Sequence, residues 1–333
     1  MIKAAFLCNN QGNLNSVYNM GRMETVSSMT DLYPHVITSQ NFDDHVTALQ
    51  DIEVVFSTWG MPLLEDEQID KLKSLKIIFY AAGSVKPFAQ PYLERGITVV
   101  SAWAANAVPV AEFTLAQILL SCKGYFRNIT ERKIWKGQGG SGKLFKGSGN
   151  FGETISLIGC GMIGRKVIEL LKNFHLNIIV YDPFLSADDV SSLGAEKVSL
   201  EDAFKRGYVV SNHAPNIPST EGMINKSLFT LMRDHATFIN TGRGATVVES
   251  DMIEILKERP SLTALLDVTW PEPPVADSEL YTLPNVFLSG HIAGSLGDET
   301  VRMADYCIDE FKAYIKGDPL RYAIALSDLD KLA

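Results

Sequence analysis

The sequence predicts an α/β protein built from two doubly wound parallel sheets. Short runs rich in β-branched and aromatic residues alternate with helical patterns along the chain, and this alternation starts again near residue 154. Parallel strands need crossover connections of this kind, because a tight hairpin joins only antiparallel strands. The length of 333 residues fits two domains of ordinary size.

Each predicted element of the first half follows from its local pattern. Continuous apolar runs indicate buried strands, and helical segments lie between them. The predicted strands are 2–8, 54–58, 76–81 and 97–102, and the predicted helices are 15–29, 41–50, 66–74 and 88–95. Residues 106–126 are apolar nearly all round, which predicts a long helix in an interior or between domains. Residues 136–150 contain six glycines and predict an exposed loop.

The second series of elements begins after that loop. The predicted strands are 154–158, 177–181, 208–211, 236–240, 262–267 and 286–289, and the predicted helices are 161–174, 199–206, 226–232, 248–258 and 297–316. In the first and last of these helices apolar residues recur every three or four positions, so each helix is expected to bury one face.

The charge and cysteine content narrow the possible functions. The chain has 30 Lys and Arg against 39 Asp and Glu, and the net charge of −9 argues against nucleic acid or an anionic membrane as the main partner. The four cysteines are far apart and form no C-x-x-C pair, so neither a disulfide framework nor a Cys-rich metal site is predicted. Without an apolar run of 18 residues or a signal-peptide core, we expect a soluble cytoplasmic protein.

A dinucleotide-binding turn is predicted at the start of the second series. The stretch TISLIGCGMIGRKV runs from a strand through Gly159, Gly161 and Gly164 into a helix. In this context the first glycine permits the tight turn, the second lets the backbone approach a pyrophosphate, and the third lets the helix pack against the strand. The N–H groups at the start of the helix are then expected to face the phosphates.

The end of the next strand suggests which dinucleotide binds. That strand is followed by Asp182, 18 residues after Gly164. A carboxylate at this position can accept hydrogen bonds from both ribose hydroxyls, and it repels the 2′-phosphate of NADP. The sequence therefore predicts NAD as the cofactor.

Polar residues mark three further strand ends of the second series. Arg243, the pair Asp267 and Glu272, and His291 come at or just after successive apolar strands. In an open α/β sheet, ligands bind outside the carboxyl ends of the strands. We therefore expect these side chains at the edge of the sheet that holds the nicotinamide.

These residue types suit the reduction of a ketone. Negative charge develops on the ketone oxygen when a hydride is added to its carbon, and a protonated His291 can donate a proton to that oxygen. A carboxylate such as Glu272 can fix the orientation of the imidazole ring. The planar guanidinium of Arg243 can bind the carbonyl and carboxylate oxygens of a 2-oxo acid together.

Together these motifs resemble the D-isomer-specific 2-hydroxyacid dehydrogenase family, which includes formate, D-glycerate, D-lactate and D-3-phosphoglycerate dehydrogenases. The matching stretches are VAEFTLAQILL, LIGCGMIGRKV, HAPNIPSTEGMIN, FINTGRG, ALLDVTWPEP and HIAG, and they span residues 110–294 in the order of the family. The resemblance implies that Arg243, Glu272 and His291 are the catalytic residues. It also implies that Asp267 meets the carboxamide of the nicotinamide.

Further cofactor contacts are implied by the same resemblance. They comprise two backbone donors to the pyrophosphate, a turn that lines the cofactor, a position on the nicotinamide side and the last residue of HIAG. In that order the residues are Met162 and Ile163; His213, Ala214 and Pro215; Thr241; and Gly294.

The resemblance also implies how the domains are arranged along the chain. A Rossmann cofactor domain, residues 103–299, is inserted in a flavodoxin-like substrate domain made of residues 1–102 and 300–333. Family members usually dimerise through the cofactor domain, and residues 125–150 resemble the arm that they use. A homodimer is therefore expected, with a small 2-oxo or 2-hydroxy acid as the ligand.

The predicted substrate loop departs from the family pattern G-x-G-x-D-x-I. Here residues 81–88 read AAGSVKPF, without the Asp and with Lys86 in the loop. Ala82, Gly83 and Ser84 are still predicted to bind the substrate, the last two through backbone N–H groups. Lys86 either contacts a second anionic group of the substrate or is solvated. This departure leaves the identity of the acid open.

The predicted function is the transfer of a hydride between NAD(H) and C2 of a D-2-hydroxy acid or 2-oxo acid, with His291 as general acid and base. The alternative is an NADH-sensing binding protein, since corepressors of the C-terminal-binding-protein type share this fold and also look catalytically complete. Another NAD-dependent Rossmann enzyme, such as an amino-acid dehydrogenase, would give no joint role to Arg243, Glu272 and His291. Turnover of 2-oxo acids separates the first two possibilities.

Overall fold

The chain forms two compact units. The structure is a computed structural model, and it describes residues 1–135 and 144–331. One unit, called unit 1 below, comprises Met1–Asn106 and Ser295–Ala333, and the other, unit 2, is Ala107–Gly294. Each unit contains one parallel sheet with helices around it. The prediction of two α/β units with parallel sheets is thereby confirmed.

Strands and helices alternate through both units. The strands are β1 Lys3–Leu7, β2 Asp31–Leu32, β3 Val54–Ser57, β4 Ile77–Tyr80, β5 Thr98–Ser101, β6 Phe151–Ile158, β7 His175–Tyr181, β8 Glu196–Lys197, β9 Val209–Asn212, β10 Thr237–Asn240, β11 Thr263–Leu266 and β12 Val286–Leu288. The helices are α1 Gln11–Val17, α2 Arg22–Met29, α3 Phe42–Leu49, α4 Asp66–Ile69, α5 Ala89–Glu94, α6 Trp103–Cys122, α7 Tyr125–Trp135, α8 Met162–Leu171, α9 Ala187–Ser192, α10 Leu200–Arg206, α11 Lys226–Leu231, α12 Glu249–Glu258 and α13 Val301–Lys316. Short 3-10 helices include Gly244–Thr246, Glu279–Tyr281, Gly297–Thr300 and Leu326–Lys331.

Unit 1 contains a five-stranded parallel sheet with the strand order β2-β1-β3-β4-β5. This is the flavodoxin-like order. Every residue of β3 and β4 is buried, as expected of strands covered on both faces. The ring of Phe311 in α13 lies with its centroid 5.3 Å from that of Phe56 and 5.7 Å from that of Phe79. The C-terminal segment therefore packs into the same core as the first hundred residues.

Unit 2 contains a seven-stranded parallel sheet with the strand order β12-β11-β10-β9-β6-β7-β8. The chain first runs outward from β6 to β8 and then returns to the other side of β6 to continue from β9 to β12. This is the Rossmann order with one added strand. Two buried apolar clusters contribute to its core, one around Phe204, Phe229 and Phe238 and one around Val167 and Leu171. Because all strands are parallel, their carboxyl ends meet at one edge of the sheet.

Helix α6 corresponds to the long apolar helix predicted over 106–126. It is long and apolar enough to cross a membrane by length and composition alone, and half of its apolar window is buried in the structure. Ala111, Ile118 and Cys122 of this helix belong to the core of unit 2, which accounts for its apolar composition. The helix ends before Gly124, and a separate helix, α7, begins at Tyr125.

The structure differs from the predicted elements where segments are short or contain weak helix formers. The predicted helix 15–29 consists of two helices, α1 and α2, because the chain turns at residues 18–21, and Asn19 and Gly21 in that turn disfavour a helix. The predicted helix 66–74 ends at Ile69 as α4. The elements β2, β8 and α9 were not predicted, since segments of two to six residues are too short to show a periodicity. Helix α7, of eleven residues, was also not predicted, because the predicted helix 106–126 covers only its first two residues.

The predicted domain limits and the predicted exposed loop can both be compared with the structure. The predicted domain limits, after residue 102 and before residue 300, fall a few residues from the divisions between unit 1 and unit 2. Residues 136–143 of the predicted exposed loop lie outside the described residues. Residues 144–150, the rest of that loop, contain neither helix nor strand.

Candidate active site

The glycine turn after β6 has the backbone conformation that its sequence predicts. Gly159 has a φ of +89°, and an added Cβ would lie 3.0 Å from the backbone of His213 and Ala214. At Gly164 an added Cβ would lie 2.5 Å from the Gly159 carbonyl oxygen. With any other residue at this position, α8 could not pack as close to the glycine turn. Gly161, the N-cap of α8, offers no side-chain acceptor to the first turn of the helix. The N–H groups at this end of α8 are therefore available to an anionic ligand.

Asp182 fixes the glycine turn from the end of the neighbouring strand. Its side chain is 8% exposed, Oδ2 accepts a hydrogen bond of 2.8 Å from the N–H of Cys160, and Oδ1 accepts one of 2.9 Å from the N–H of Phe184. Each carboxylate oxygen can accept a second bond. Asp182 thus combines a structural role, which the sequence did not indicate, with the free acceptor capacity expected of a ribose-binding acid.

The turn after β9 contains a largely buried histidine. Nε2 of His213 lies 2.9 Å from Oγ of Ser211, and Nδ1 lies 3.4 Å from Oγ1 of Thr241, which in turn is 3.1 Å from Oγ1 of Thr114. Burial lowers the pKa of His213 to about 4. The imidazole is therefore neutral at physiological pH. The neighbouring Ala214 is buried and Pro215 is half-buried, in the segment predicted to line the cofactor.

Arg243 lies in a tight segment that follows β10. Its side chain is half-buried, and Nη1 donates a hydrogen bond of 2.8 Å to the carbonyl of Gly242. Burial lowers the pKa of Arg243, and the negative charge of Glu272 opposes that shift. The Glu272 carboxylate therefore acts on the guanidinium through its charge, although the structure describes no direct ion pair between the two side chains.

The structure brings Glu272 and His291 into direct contact. Nδ1 of His291 lies 2.6 Å from Oε1 of Glu272, and the two side chains are 54% and 38% exposed. Among the described residues, Nε2 of His291 has no hydrogen-bond partner. His291 has a φ of +56°, a backbone conformation that is uncommon for a residue with a side chain and is often found at functional sites.

Asp267 holds the loop that bears His291. This residue is 2% exposed, and its carboxylate accepts hydrogen bonds from Oγ of Ser289 at 2.6 Å, from the N–H of Ile292 at 2.8 Å and from the N–H of Ala293 at 2.9 Å. The N–H of His291 donates to the Asp267 carbonyl at 2.9 Å. The sequence predicted Asp267 as a cofactor contact and did not indicate this second role, which supports the unusual backbone of His291. Gly294, half-buried, follows directly on this loop.

All the predicted catalytic and cofactor residues lie at the carboxyl edge of the unit 2 sheet. Those of the glycine turn and the first helix turn follow β6, Asp182 follows β7, and the His213 turn follows β9. The catalytic candidates follow β10, β11 and β12, which are adjacent strands. The sequence did not identify three buried polar residues behind Arg243, namely Asn212, Asn240 and Thr246. For Asn212 and Asn240 the sequence does contain a signal, because each is an amide side chain at the end of an apolar strand.

The predicted substrate loop belongs to unit 1, at the carboxyl end of β4. Ala82 is buried, Gly83 is half-buried and Ser84 is exposed. Oγ of Ser101 lies 3.0 Å from the carbonyl oxygen of Ala82 and 2.6 Å from that of Gly83, and its single proton is shared between these two acceptors. In the described structure the N–H groups of Gly83 and Ser84 have no acceptor, so they are available to a ligand. The side chain of Lys86 is exposed and makes no described hydrogen bond or ion pair.

The amino-acid sequence of the chain is similar to those of known dehydrogenases and reductases. Residues 119–293 match the family described as D-isomer specific 2-hydroxyacid dehydrogenase, NAD binding domain. A D-3-phosphoglycerate dehydrogenase from Methanocaldococcus jannaschii is 31% identical over 286 residues, which are 85% of this chain and 53% of that protein. A hydroxypyruvate reductase from Thermotoga maritima is 33% identical over 238 residues, which are 71% of this chain and 76% of that protein.

The solved structures show the same fold. A phosphoglycerate oxidoreductase from Rhizobium etli superposes with a TM-score of 0.79 at 22% identity, over 97% of this chain and 98% of that one. The chain spans about half the length of the curated D-3-phosphoglycerate dehydrogenases that it matches. No group of three or more metal-ligating side chains occurs within residues 1–135 and 144–331.

The neutral state of His213 predicts a pH dependence of stability. In the unfolded chain this histidine titrates near pH 6.5, whereas in the folded protein its pKa is about 4. Between these values the unfolded state binds more protons, so the free energy of unfolding falls as the pH falls from 6.5 to 4, by on the order of 2–3 kcal/mol from this group. Thermal unfolding of His213→Asn between pH 4 and 7 should show a shallower slope than the wild type. The variant His175→Asn, at an exposed position, is the control and should keep the wild-type slope; equal slopes for all three proteins would contradict the prediction.

Proposed function

Because the chain belongs to the D-isomer specific 2-hydroxyacid dehydrogenase family, we propose that it is an NAD-dependent oxidoreductase that interconverts a D-2-hydroxy acid and its 2-oxo acid. The observation that supports this most strongly is the 2.6 Å contact between His291 and Glu272, with Arg243 in electrostatic range, at the sheet edge that also bears the glycine turn. In open α/β sheets ligands bind outside the carboxyl ends of the strands, and these three side chains follow strands at that edge.

The residues around the glycine turn fit the NAD that the family description names. Gly159 and Gly164 allow the turn, the neighbouring strand end and the start of α8 to pack closely together. Gly161 leaves the first N–H groups of α8 without a side-chain acceptor, and Asp182 can accept hydrogen bonds from ribose hydroxyls. Met162 and Ile163 begin the helix that would face the pyrophosphate. Bound NAD(H) supplies or accepts the hydride, which is the redox chemistry that the side chains themselves lack.

The remaining proposed cofactor contacts surround the nicotinamide end. His213, Ala214 and Pro215 would line the cofactor, with Thr241 on the nicotinamide side and Gly294 after the His291 loop. The neutral imidazole of His213 can remain in this partly dry setting without a charge to desolvate. Asp267 can accept one more hydrogen bond at Oδ2, which leaves it able to meet the carboxamide while it holds the His291 loop.

Arg243 is proposed to bind the 2-oxo acid. A half-buried guanidinium makes stronger interactions with an anion than an exposed one, because fewer water molecules compete. Its planar fork presents parallel N–H donors to the carboxylate and the carbonyl oxygen of the substrate. The free N–H groups of Gly83 and Ser84, beside Ala82 in unit 1, are proposed as further donors to the substrate.

His291 is proposed to exchange the proton. With Nδ1 bonded to Glu272, Nε2 is the nitrogen that can donate a proton to the ketone oxygen during reduction and accept it back during oxidation. Asp267 holds the backbone on both sides of the imidazole, which reduces the number of orientations it can adopt. Glu272 acts through the ring and is not required to contact the substrate.

A panel of 2-oxo acids tests this proposal. Oxidation of NADH is followed with glyoxylate, hydroxypyruvate, pyruvate, phenylpyruvate and 2-oxoisocaproate, and at least one should be reduced. If NADH binds but none of these acids is reduced, the alternative of an NADH-sensing binding protein is supported instead. Dimerisation through residues 125–150 and a cytoplasmic location remain predictions, and residues 136–143 of that arm lie outside the described residues.

The variant His291→Ala should lose catalysis and keep cofactor binding. Removal of the general acid is expected to lower kcat by about 10²-fold or more, while the Kd for NADH changes by about twofold at most. Steady-state kinetics and NADH fluorescence titration measure the two quantities. His175→Ala, which removes an exposed histidine at the amino end of β7, is the matched control with wild-type kinetics. Near-normal turnover by His291→Ala would refute the assignment.

The variant Asp182→Ala should weaken the preference for NAD over NADP. Loss of the carboxylate also frees the N–H groups of Cys160 and Phe184, so kcat/KM should fall with both cofactors. The ratio of kcat/KM for NADH to that for NADPH isolates the charge repulsion, and it is expected to fall by about 10-fold or more. Asp188→Ala, an exposed acid in α9, should leave the ratio unchanged. An unchanged ratio in Asp182→Ala would count against a ribose-binding role.

A further inference from the structure

Three polar side chains are buried directly behind the Arg243 segment. Asn212 ends β9, Asn240 ends β10 and Thr246 lies in the 3-10 helix that follows Arg243, and their exposed fractions are 0%, 1% and 0%. Burying an amide or a hydroxyl costs free energy unless its hydrogen bonds are made inside the protein. Their hydrogen-bond partners therefore show what these residues hold in place.

The three side chains form one closed network around the Arg243 carbonyl. Oγ1 of Thr246 donates a hydrogen bond of 2.7 Å to that carbonyl, and Nδ2 of Asn240 donates a second one of 3.2 Å. Nδ2 of Asn212 donates to Oγ1 of Thr246 at 2.8 Å and to Oδ1 of Asn240 at 3.0 Å. Both side-chain N–H groups of Asn212 and the hydroxyl proton of Thr246 are thus used.

Backbone N–H groups fix the orientation of both amides. Oδ1 of Asn240 accepts from the N–H of Gly242 at 3.1 Å, and Oδ1 of Asn212 accepts from the N–H of Ala214 at 3.2 Å. An N–H group can donate only to the oxygen of an amide, so each side chain can be placed in only one way. The network therefore joins the Arg243 segment to the turn that contains His213 and Ala214.

A packing contact holds the same segment from the other side. Gly244 lies against the backbone of Thr269, and an added Cβ would overlap the Thr269 carbonyl. Arg243 is thus fixed by hydrogen bonds at its own carbonyl and by close packing at the next residue. Its guanidinium bonds back to Gly242, which belongs to the same network.

We propose that Asn212, Asn240 and Thr246 form a positioning element that fixes the backbone of Arg243 and, through it, the direction of the guanidinium toward the 2-oxo acid. This inference rests on the proposed function, in which Arg243 binds the substrate. None of the three residues contacts the substrate. They act through Arg243, and preorganised donors of this kind contribute to catalysis because they need not reorganise when the substrate binds.

The variant Thr246→Val tests the proposal because it keeps the volume of the side chain and removes the hydroxyl. The Arg243 carbonyl loses one donor, and one N–H of Asn212 loses its acceptor. With the best 2-oxo acid of the panel, kcat/KM should fall by about 10-fold, while the Kd for NADH changes by about twofold at most. Thr246→Ser, which restores the hydroxyl, should return kcat/KM to within about twofold of the wild type. Thr237→Val, at the opposite end of β10 and also buried, is the matched control and should behave as the wild type.

A double-mutant cycle separates positioning from a general effect on the fold. If Thr246 acts through the guanidinium, Thr246→Val should lower kcat/KM by about 10-fold in the wild type and by about twofold at most in Arg243→Ala. Rates are expressed per NADH-binding site, so loss of folded protein is not counted. If Thr246→Val binds no NADH, Thr246→Cys, which keeps a weak donor in a similar volume, replaces it in the cycle.

The outcomes distinguish this inference from the proposed function. Equal losses in the two backgrounds, or no loss in either, would overturn the positioning role and leave the dehydrogenase assignment standing. If the wild type reduces a 2-oxo acid and Arg243→Ala is unimpaired, the substrate role of Arg243 fails and the inference fails with it. If no acid of the panel is reduced, both proposals are overturned.

Discussion

The parallel register of the seven strands in unit 2 is the constraint on which the candidate site depends. Since neighbouring strands run in the same direction, segments that are distant in sequence end at one edge of the sheet. Hydrogen bonds then set the finer geometry of each segment. Asp182 holds the glycine turn, Asn240 and its partners hold the Arg243 segment, and Asp267 holds the His291 loop. In each case a polar side chain at the end of one strand fixes the backbone of a neighbouring segment.

The parts of the fold and site that depend on local sequence could be predicted. The strands with continuous apolar runs were found because helices cover both faces of the sheets, so burial leaves a clear pattern. Gly159 was predictable because its φ of +89° favours a residue without a side chain. Glu272 and His291 were expected near each other because each follows an apolar strand, and the 2.6 Å distance between Nδ1 and Oε1 agrees with that expectation.

Contacts between segments distant in sequence could not be predicted from one sequence. The bond from Asn212 to Thr246 joins residues 34 positions apart, and no spacing rule relates them. The same holds for Asp267, whose carboxylate accepts hydrogen bonds from one hydroxyl and two backbone N–H groups of the segment after the next strand. The residue types did give a partial signal, because an Asn or Asp at the end of an apolar strand must find partners if it is buried. The break between α1 and α2 was missed because apolar residues continue on both sides of it.

A crystal structure of the chain with NADH and oxamate, an analogue of a 2-oxo acid that cannot be reduced, tests the central claim most directly. The account predicts that the imidazole of His291 and the guanidinium of Arg243 both lie within about 2.7–3.2 Å of oxamate oxygens. It also predicts that the analogue lies beside the nicotinamide ring, with Glu272 still bonded to the imidazole. An imidazole that faces away from the ring, or that is separated from oxamate by more than one water molecule, would contradict the account.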